Sequence, residues 1–285
     1  MNSLQHHLVV DRPLPASGVT EGTLLYLVPM PERPYSYTFE PPGGGLRTNA
    51  AYEPHTVPIH DLRPLAPELS LDREGFALVE TDDAVRDFTD EDEIRRVLYP
   101  ETQRIIGKAL GAEQVFVFDH TIRRRIPGLE DRRQPGPRQP VPRIHVDYTV
   151  RSGPQRVRDL LGGEADRRLA RRFAIVNLWR PIRGPLHDLP LAVADAGSVA
   201  AKDLVAIDLI YPDRTGEIYM VNHNPAHRWF YAPAMRTDEA LLLKCYDSLT
   251  DGTARFAPHA AFEDPGAPAN VLSRESIELR TLVFF

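Results

Sequence analysis

The chain has 285 residues, 42% of them apolar, enough to bury a full core as one large domain. Its net charge is −6, with basic residues scattered among acids, so it lacks the electrostatic footprint of a nucleic-acid binder or a polybasic membrane patch, and the expected partner is a small molecule. Cys245 is the single cysteine, which excludes an internal disulfide and thiol-rich zinc sites and fits a reducing cytoplasm.

Met1 to Gly18 carries His6, His7 and Asp11 where a secretory signal would have a basic start and an apolar block, and no run approaches ~18 apolar residues. A soluble, unexported protein is therefore expected. Prolines cluster at 29–42, 54–67, 127–142 and 258–268; each fixes φ and removes a donor, so these stretches read as loops wrapping a compact core.

In chain order, residues 20–28 predict a strand. Residues 56–61 predict a linker or edge strand, because Pro58 interrupts them. A short strand follows at 74–80. The clearest helix begins at a Thr89 or Asp90 cap and places Ile94, Val97, Leu98, Ile105, Ile106 and Leu110 at helical spacing, with Pro100 expected to break or kink it near Tyr99 and Gly111 to end it. Val115–Phe118 predicts a buried strand. Residues 123–142, rich in Arg, Pro, Gly and Gln, predict a loop placed to act as a lid or substrate contact.

That loop delivers the chain to Arg143-Ile144-His145-Val146-Asp147-Tyr148-Thr149-Val150, read as a strand. On a strand, residues i and i+2 point to the same face, so His145 and Asp147 converge, as two legs of a two-His-one-carboxylate iron site would. By itself the pair also fits two polar residues on a solvated face. A helix at 154–170, interrupted at Gly162-Gly163, precedes closely spaced strands at 173–179, 204–211, 217–221, 229–231, 240–246 and 277–284. Neither a repeat, a phosphate-binding glycine loop nor a dinucleotide fingerprint is present.

This order predicts a mainly β protein with flanking helices around a double-stranded β-helix (jelly-roll, cupin-like) core. The division expected is a single catalytic domain over 1–285, with 1–112 as N-terminal strands and a helix packing on a core of 113–285. The third metal ligand must come from a distant strand, and His227, His223 and His259 are the candidates. His227 lies 82 residues after His145, at the start of a strongly β-prone run, and is the choice over His259, which sits in a less regular stretch.

Six blocks in order then carry a family resemblance. They are His145-x-Asp147-Tyr148-Thr149; Asn177-Leu178-Trp179-Arg180-Pro181 with Gly184-Pro185 and Asp188-x-Pro190-Leu191-Ala192; His227-Arg228-Trp229-Phe230-Tyr231-x-Pro233-x-Met235; Lys244-x-Tyr246-Asp247-Ser248; Pro258-His259-x-Ala261-Phe262-x-Asp264-Pro265; and Arg274-Glu275-Ser276-Ile277-Glu278-x-Arg280. From about residue 140 onward the chain resembles the hydroxylase/desaturase family of non-haem iron enzymes of fungal and bacterial secondary metabolism, which includes cephalosporin-methoxylating and endoperoxide-forming members. The first half matches only in outline.

The resemblance implies Fe(II) held by His145, Asp147 and His227, with 2-oxoglutarate and O₂ as co-substrates and oxidation of an unactivated C–H bond of a small specialised metabolite by hydroxylation, desaturation or oxidative cyclisation. The distal carboxylate of 2-oxoglutarate needs a buried cation. Lys244 on the 240–246 strand is the first candidate; Arg274 with Ser276, and Arg280, are rivals, since arginine offers bidentate recognition. The alternatives are an iron oxygenase using O₂ without 2-oxoglutarate, and a non-catalytic accessory subunit of a biosynthetic enzyme. Neither nucleic acid nor membrane is expected as a partner, and a homodimer is compatible with the chain.

Overall fold

The computed structural model describes residues 18–82, 84–129 and 137–285. Its strands are β1 (Val19–Leu27), β2 (Tyr35–Tyr37), β3 (Tyr52–Asp61), β4 (Phe76–Glu80), β5 (Gln114–Arg124), β6 (His145–Val146) and β7 (Phe173–Pro181) in the first part of the chain. There follow β8 (Leu191–Ala194), β9 (Leu204–Ile210), β10 (Thr215–Val221), β11 (Trp229–Tyr231), β12 (Glu239–Asp247), β13 (His259–Ala261) and β14 (Glu275–Phe284). The helices are α1 (Glu91–Glu93), α2 (Tyr99–Leu110), α3 (Ser152–Leu161) and α4 (Ala165–Leu169).

Two sheets form the double-stranded β-helix. One runs β1-β3-β11-β8-β13-β6-β10-β9-β2 and is mixed, with parallel pairs at β11/β3 and β2/β9; the other, β4-β12-β7-β14-β5, is antiparallel throughout. The second sheet is covered on both faces, which is why β7 and β12 are buried at every position, their apolar residues interrupted by Asn177, Arg180 and Lys244. Its outer face, with Val176, Leu178, Ala240, Leu242, Ile277 and Leu279, takes Leu98, Ile105 and Ile106 of the helical segment. Its inner face meets the first sheet through Trp179, Leu241 and Leu243 against Leu191, Val193 and Phe230, and through Ile175, Cys245 and Leu282 against Val146 and Tyr148.

Local chemistry explains where the chain departs from expectation. The Asp90 carboxylate accepts from the Asp92 and Glu93 amides and caps α1, but Pro100 does not stop the helical path. A π turn at Ile94–Leu98, with the Tyr99 amide bonded to the Ile94 carbonyl, leads into α2, and Pro100 falls at this change from the wider π turn to the α-helix. Gly111, at φ 62°, ends α2 in the left-handed conformation. The 56–61 segment belongs to β3, which lies between β1 and β11. Pro54 and Pro58 are tolerated because β11 pairs only with Ile59, His60 and Asp61, leaving the proline-bearing stretch with a single partner. Of the expected 123–142 loop, β5 takes the first two residues, and 130–136 lie outside the described residues.

Candidate active site

The short strand β6 pairs with β13 so that His259 stands directly opposite His145. Cross-strand neighbours lie close enough for their side chains to touch, and the two imidazole rings are 4.5 Å apart at 57°. Asp147, two residues beyond His145, brings Oδ1 to 3.7 Å from His145 Nε2. One donor atom from each of His145, Asp147 and His259 lies within 4.8 Å of the other two, and this is the single such group among the described residues.

The hydrogen bonds orient this set. His145 Nδ1 is 2.9 Å from the Arg143 carbonyl, and His259 Nδ1 is 3.0 Å from the Ala257 carbonyl, so the two rings use the same i−2 contact. A carbonyl only accepts, so each Nδ1 carries the proton and each Nε2 presents a lone pair. Burial, followed by the neighbouring His259, pushes the His145 imidazole down to about 4 against the pull of Asp147, so it is neutral at physiological pH. Two imidazoles and one carboxylate on one face fit a divalent iron-type ion with open positions.

Asp147 is oriented in turn. Its Oδ2 accepts from Asn177 Nδ2 at 2.8 Å and from Arg280 Nε at 3.3 Å, leaving Oδ1 on the histidine side. Asn177 also donates to Glu278 Oε1 at 3.0 Å, and Arg280 donates to Glu278 Oε2 and Asp119 Oδ1. Burial works to raise the Asp147 carboxyl, but Arg280, the two histidines and the Asn177 amide outweigh it and hold it well below the usual carboxylate range. Alternation along β7 and β14 makes this possible, since Asn177, Glu278 and Arg280 occupy inward positions while Val176, Leu178, Ile277 and Leu279 face the helix.

His227 does not belong to this group, which corrects the expectation drawn from its β-prone surroundings. Its Nε2 is 3.1 Å from Asp203 Oδ2 and its Nδ1 is 3.3 Å from the Tyr26 hydroxyl, so both nitrogens have protein partners. Its ring stacks on Tyr26, with Trp229 donating to the same hydroxyl at 2.8 Å. His223 stacks on His55 at 3.8 Å, also outside the group. His259 was the harder residue to see because its strand is Ala-rich and only three residues long, and alanine is depleted in strands. Packing decides the matter: β13 is buried between β8 and β6.

The cation candidates separate in the same way. Lys244 is fully buried, but it lies between the inward Leu243 and Cys245 and donates to Asp72 and to Asp247, the latter at 2.8 Å. With two carboxylates already against it, the expectation that Lys244 holds a co-substrate is corrected. Arg280 is likewise engaged by Asp147, Glu278 and Asp119, as a support of the triad. Arg274 is different. It is 2% exposed, stacks 4.8 Å from the Trp179 ring, is 3.2 Å from Ser276 Oγ and donates to the Leu189 carbonyl; its backbone amide donates to Asp188 Oδ2 at 2.8 Å, but its guanidinium has no carboxylate within 4 Å among the described residues. Burial, then Arg123, pushes it down to about 9 despite Glu278 and Asp188. Such a cation is stabilised by an anion that the protein itself does not supply.

His145, Asp147 and Arg280 open onto a cleft of about 1250 Å³, walled by the 36–48 and 138–143 segments, β9, β10 and α3. That exceeds the ~300–1,000 Å³ of ordinary small-molecule pockets. No described helix is long and apolar enough to cross a membrane.

A family model described as an oxidoreductase/YMDC permease-like domain matches residues 24–284. The chain is 35% identical over 261 residues to the hydroxylase/desaturase efuI of Hormonema carpetanum, covering 84% of this chain and 86% of that one. It is 34% identical over 235 residues to the alpha-ketoglutarate-dependent dioxygenase phiK of a fungal species, covering 81% and 84%. The solved structure of the iron and alpha-ketoglutarate-dependent endoperoxidase NvfI superposes with a TM-score of 0.84 at 27% identity, covering 94% of this chain and 98% of that one. The fold, the two-His-one-carboxylate constellation and these relatives agree: the chain belongs to the hydroxylase/desaturase family of Fe(II)- and 2-oxoglutarate-dependent oxygenases.

Proposed function

We propose that this chain holds Fe(II) through the Nε2 atoms of His145 and His259 and a carboxylate oxygen of Asp147, and anchors 2-oxoglutarate through Arg274 and Ser276. The reaction is oxidation of a C–H bond in a small specialised metabolite, with O₂ as the second co-substrate. Iron, 2-oxoglutarate and O₂ together supply the oxidant, as 2-oxoglutarate is converted to succinate and CO₂. The protein's own residues position and shield. The Nδ1 contacts to Arg143 and Ala257 fix both rings, Asn177 and Arg280 keep Asp147 ionised and turned toward them, and the Trp179 face carries the Arg274 guanidinium. The whole of 1–285 acts in this reading as one catalytic unit, in the cytoplasm, and as a homodimer, which gel filtration of the purified protein would test.

The observation that carries the proposal is the His145–His259 pairing with both Nε2 atoms open beside Asp147 Oδ1. Anaerobic Fe(II) titration of the purified protein and its variants tests it. His259→Ala is expected to lose iron binding and His227→Ala to keep it; the reverse pattern would overturn the assignment. Succinate formed in step with product separates this reading from an iron oxygenase that uses O₂ alone.

A further inference from the structure

We infer that the substrate is an amphipathic anion, a carboxylic acid or phosphate ester on an apolar body, held by Arg143 and Arg156; this deepens the iron-oxygenase reading and rests on it. Both arginines line the cleft, and both are half-buried. Arg143 leads into the His145–Asp147 segment with its guanidinium 5.3 Å from the ring centre of Tyr52. Arg156, on α3, lies 5.8 Å from the Phe118 ring and 6.0 Å from that of Tyr148, the residue that follows Asp147. Each cation is thus propped on aromatic faces next to the metal ligands, with the edge of the fork left to take an oxyanion.

What distinguishes these two from their neighbours is the absence of a counter-charge. Arg280 is paired with Asp119, Asp147 and Glu278, and Arg151 lies 3.7 Å from Glu217. Arg214 stacks on Tyr211 but is exposed, so water solvates it. Among the described residues Arg143 and Arg156 have no carboxylate within 4 Å, and the buried Nε of Arg156 has no acceptor. Each partly desolvated guanidinium facing the cleft loses hydration, and cation–π contacts of about 0.5–2 kcal/mol each recover only part of that. An oxyanion between or beside them restores the balance, and arginine's planar fork suits carboxylate and phosphate alike. Co-substrate is a poor alternative occupant, because Arg274 supplies a separate buried cation for it. Leu25, Tyr37, Val141, Leu209, Ile218 and Met220 form the apolar part of an otherwise mixed wall and take the body of the molecule.

The test uses the Mn(II)- and 2-oxoglutarate-loaded protein and a matched pair of probes: the anionic 8-anilinonaphthalene-1-sulfonate and its uncharged analogue N-phenyl-1-naphthylamine. Wild type is expected to bind the anion at least tenfold more tightly. Arg156→Gln and Arg143→Gln should each remove about tenfold of anion affinity, leave the neutral probe within twofold, and recover part of the loss as Arg156→Lys and Arg143→Lys. Displacement of the fluorophore by 2-naphthoate identifies a carboxylic acid, and displacement by 2-naphthyl phosphate a phosphate ester. Equal binding of the two probes by wild type, equal weakening of both by the variants, or a loss of 2-oxoglutarate affinity in place of anion affinity would each overturn the inference. Because neither probe touches iron chemistry, failure of wild type to bind Mn(II) at all would strike the metal assignment alone.

Discussion

Two imidazole–carboxylate groupings beside the first sheet invite comparison, and only one is arranged to hold a metal. In both, a histidine lies beside an aspartate: His145 with Asp147, and His227 with Asp203. In the first, the Nδ1 atoms rest on carbonyls two residues back in the chain, and the Nε2 atoms make no protein hydrogen bond among the described residues, that of His145 lying 3.7 Å from Asp147 Oδ1. In the second, His227 has both nitrogens engaged, Asp203 also accepts from Asn224 at 2.9 Å and from the Ala200 amide at 3.1 Å, and the ring stacks on Tyr26. Proximity of donors is common to the two; what separates them is which atoms remain open.

The largest expected effect breaks that contrast directly. His259→Ala should reduce metal binding and turnover to background, since one of three donors is gone. His227→Ala should keep the metal and instead lower stability by about 1–3 kcal/mol, because Asp203 and Tyr26 each lose a buried partner. Calorimetric Mn(II) titration and thermal unfolding of the two variants read the two outcomes separately.

The same contrast holds for the buried cations. Arg274→Gln should raise the 2-oxoglutarate requirement by roughly 100-fold, the loss of one desolvated charge pair of about 3 kcal/mol. Lys244→Met leaves the fully buried Asp247 with Arg172 as its remaining cation, and should cost about 3 kcal/mol of stability. The KM for 2-oxoglutarate in that variant should stay at its wild-type value, and a large rise there would restore Lys244 to the site. A smaller effect is expected one layer out. Asn177→Ala removes one of the two donors to Asp147 Oδ2 and should weaken Mn(II) binding about 10-fold, within the range found for residues that orient metal ligands.

How much of this was legible in the sequence follows from how local each feature is. The convergence of His145 and Asp147 is an i, i+2 relation that a short window contains, although of the expected 143–150 strand only His145 and Val146 form β6 and Asp147 lies in the bend that follows. β7, β12 and β14 declare themselves as apolar runs, and each fully buried side chain of that kind contributes about 1.5–3 kcal/mol, more than the ~1 kcal/mol spread of strand propensities. His259 is found only through its pairing with β6 across 114 residues of chain, a relation no window contains. Lys244 misled because its apolar neighbours say that it is buried without saying on which face; the shift in pairing between Lys244 and Tyr246 hides the parity further. Charge placement is also non-local, so Arg274 and Lys244 look alike until their partners are known.

The smallest expected effect is the pH dependence of the satisfied cluster. Burial lowers the His227 imidazole below its ordinary value of 6.5 although Asp203 pulls it up, and burial followed by His55 lowers His223. Both groups therefore bind protons more weakly folded than unfolded. Below pH 6.5 the unfolded chain takes up protons that the native state resists, so stability falls as pH drops through the window from 6.5 to the lowered native values, and is fully present above it. One such proton contributes a slope of at most about 1.4 kcal/mol per pH unit. Urea unfolding at pH 7.5, 6.5 and 5.5 should show this decline in the metal-free protein. The double variant His223→Gln, His227→Gln should make it shallower, leaving the share that the lowered His145 imidazole contributes, while lowering stability at pH 7.5, because glutamine fills the space without titrating; an unchanged slope would mean that these two rings take up a proton as readily in the fold as in the unfolded chain.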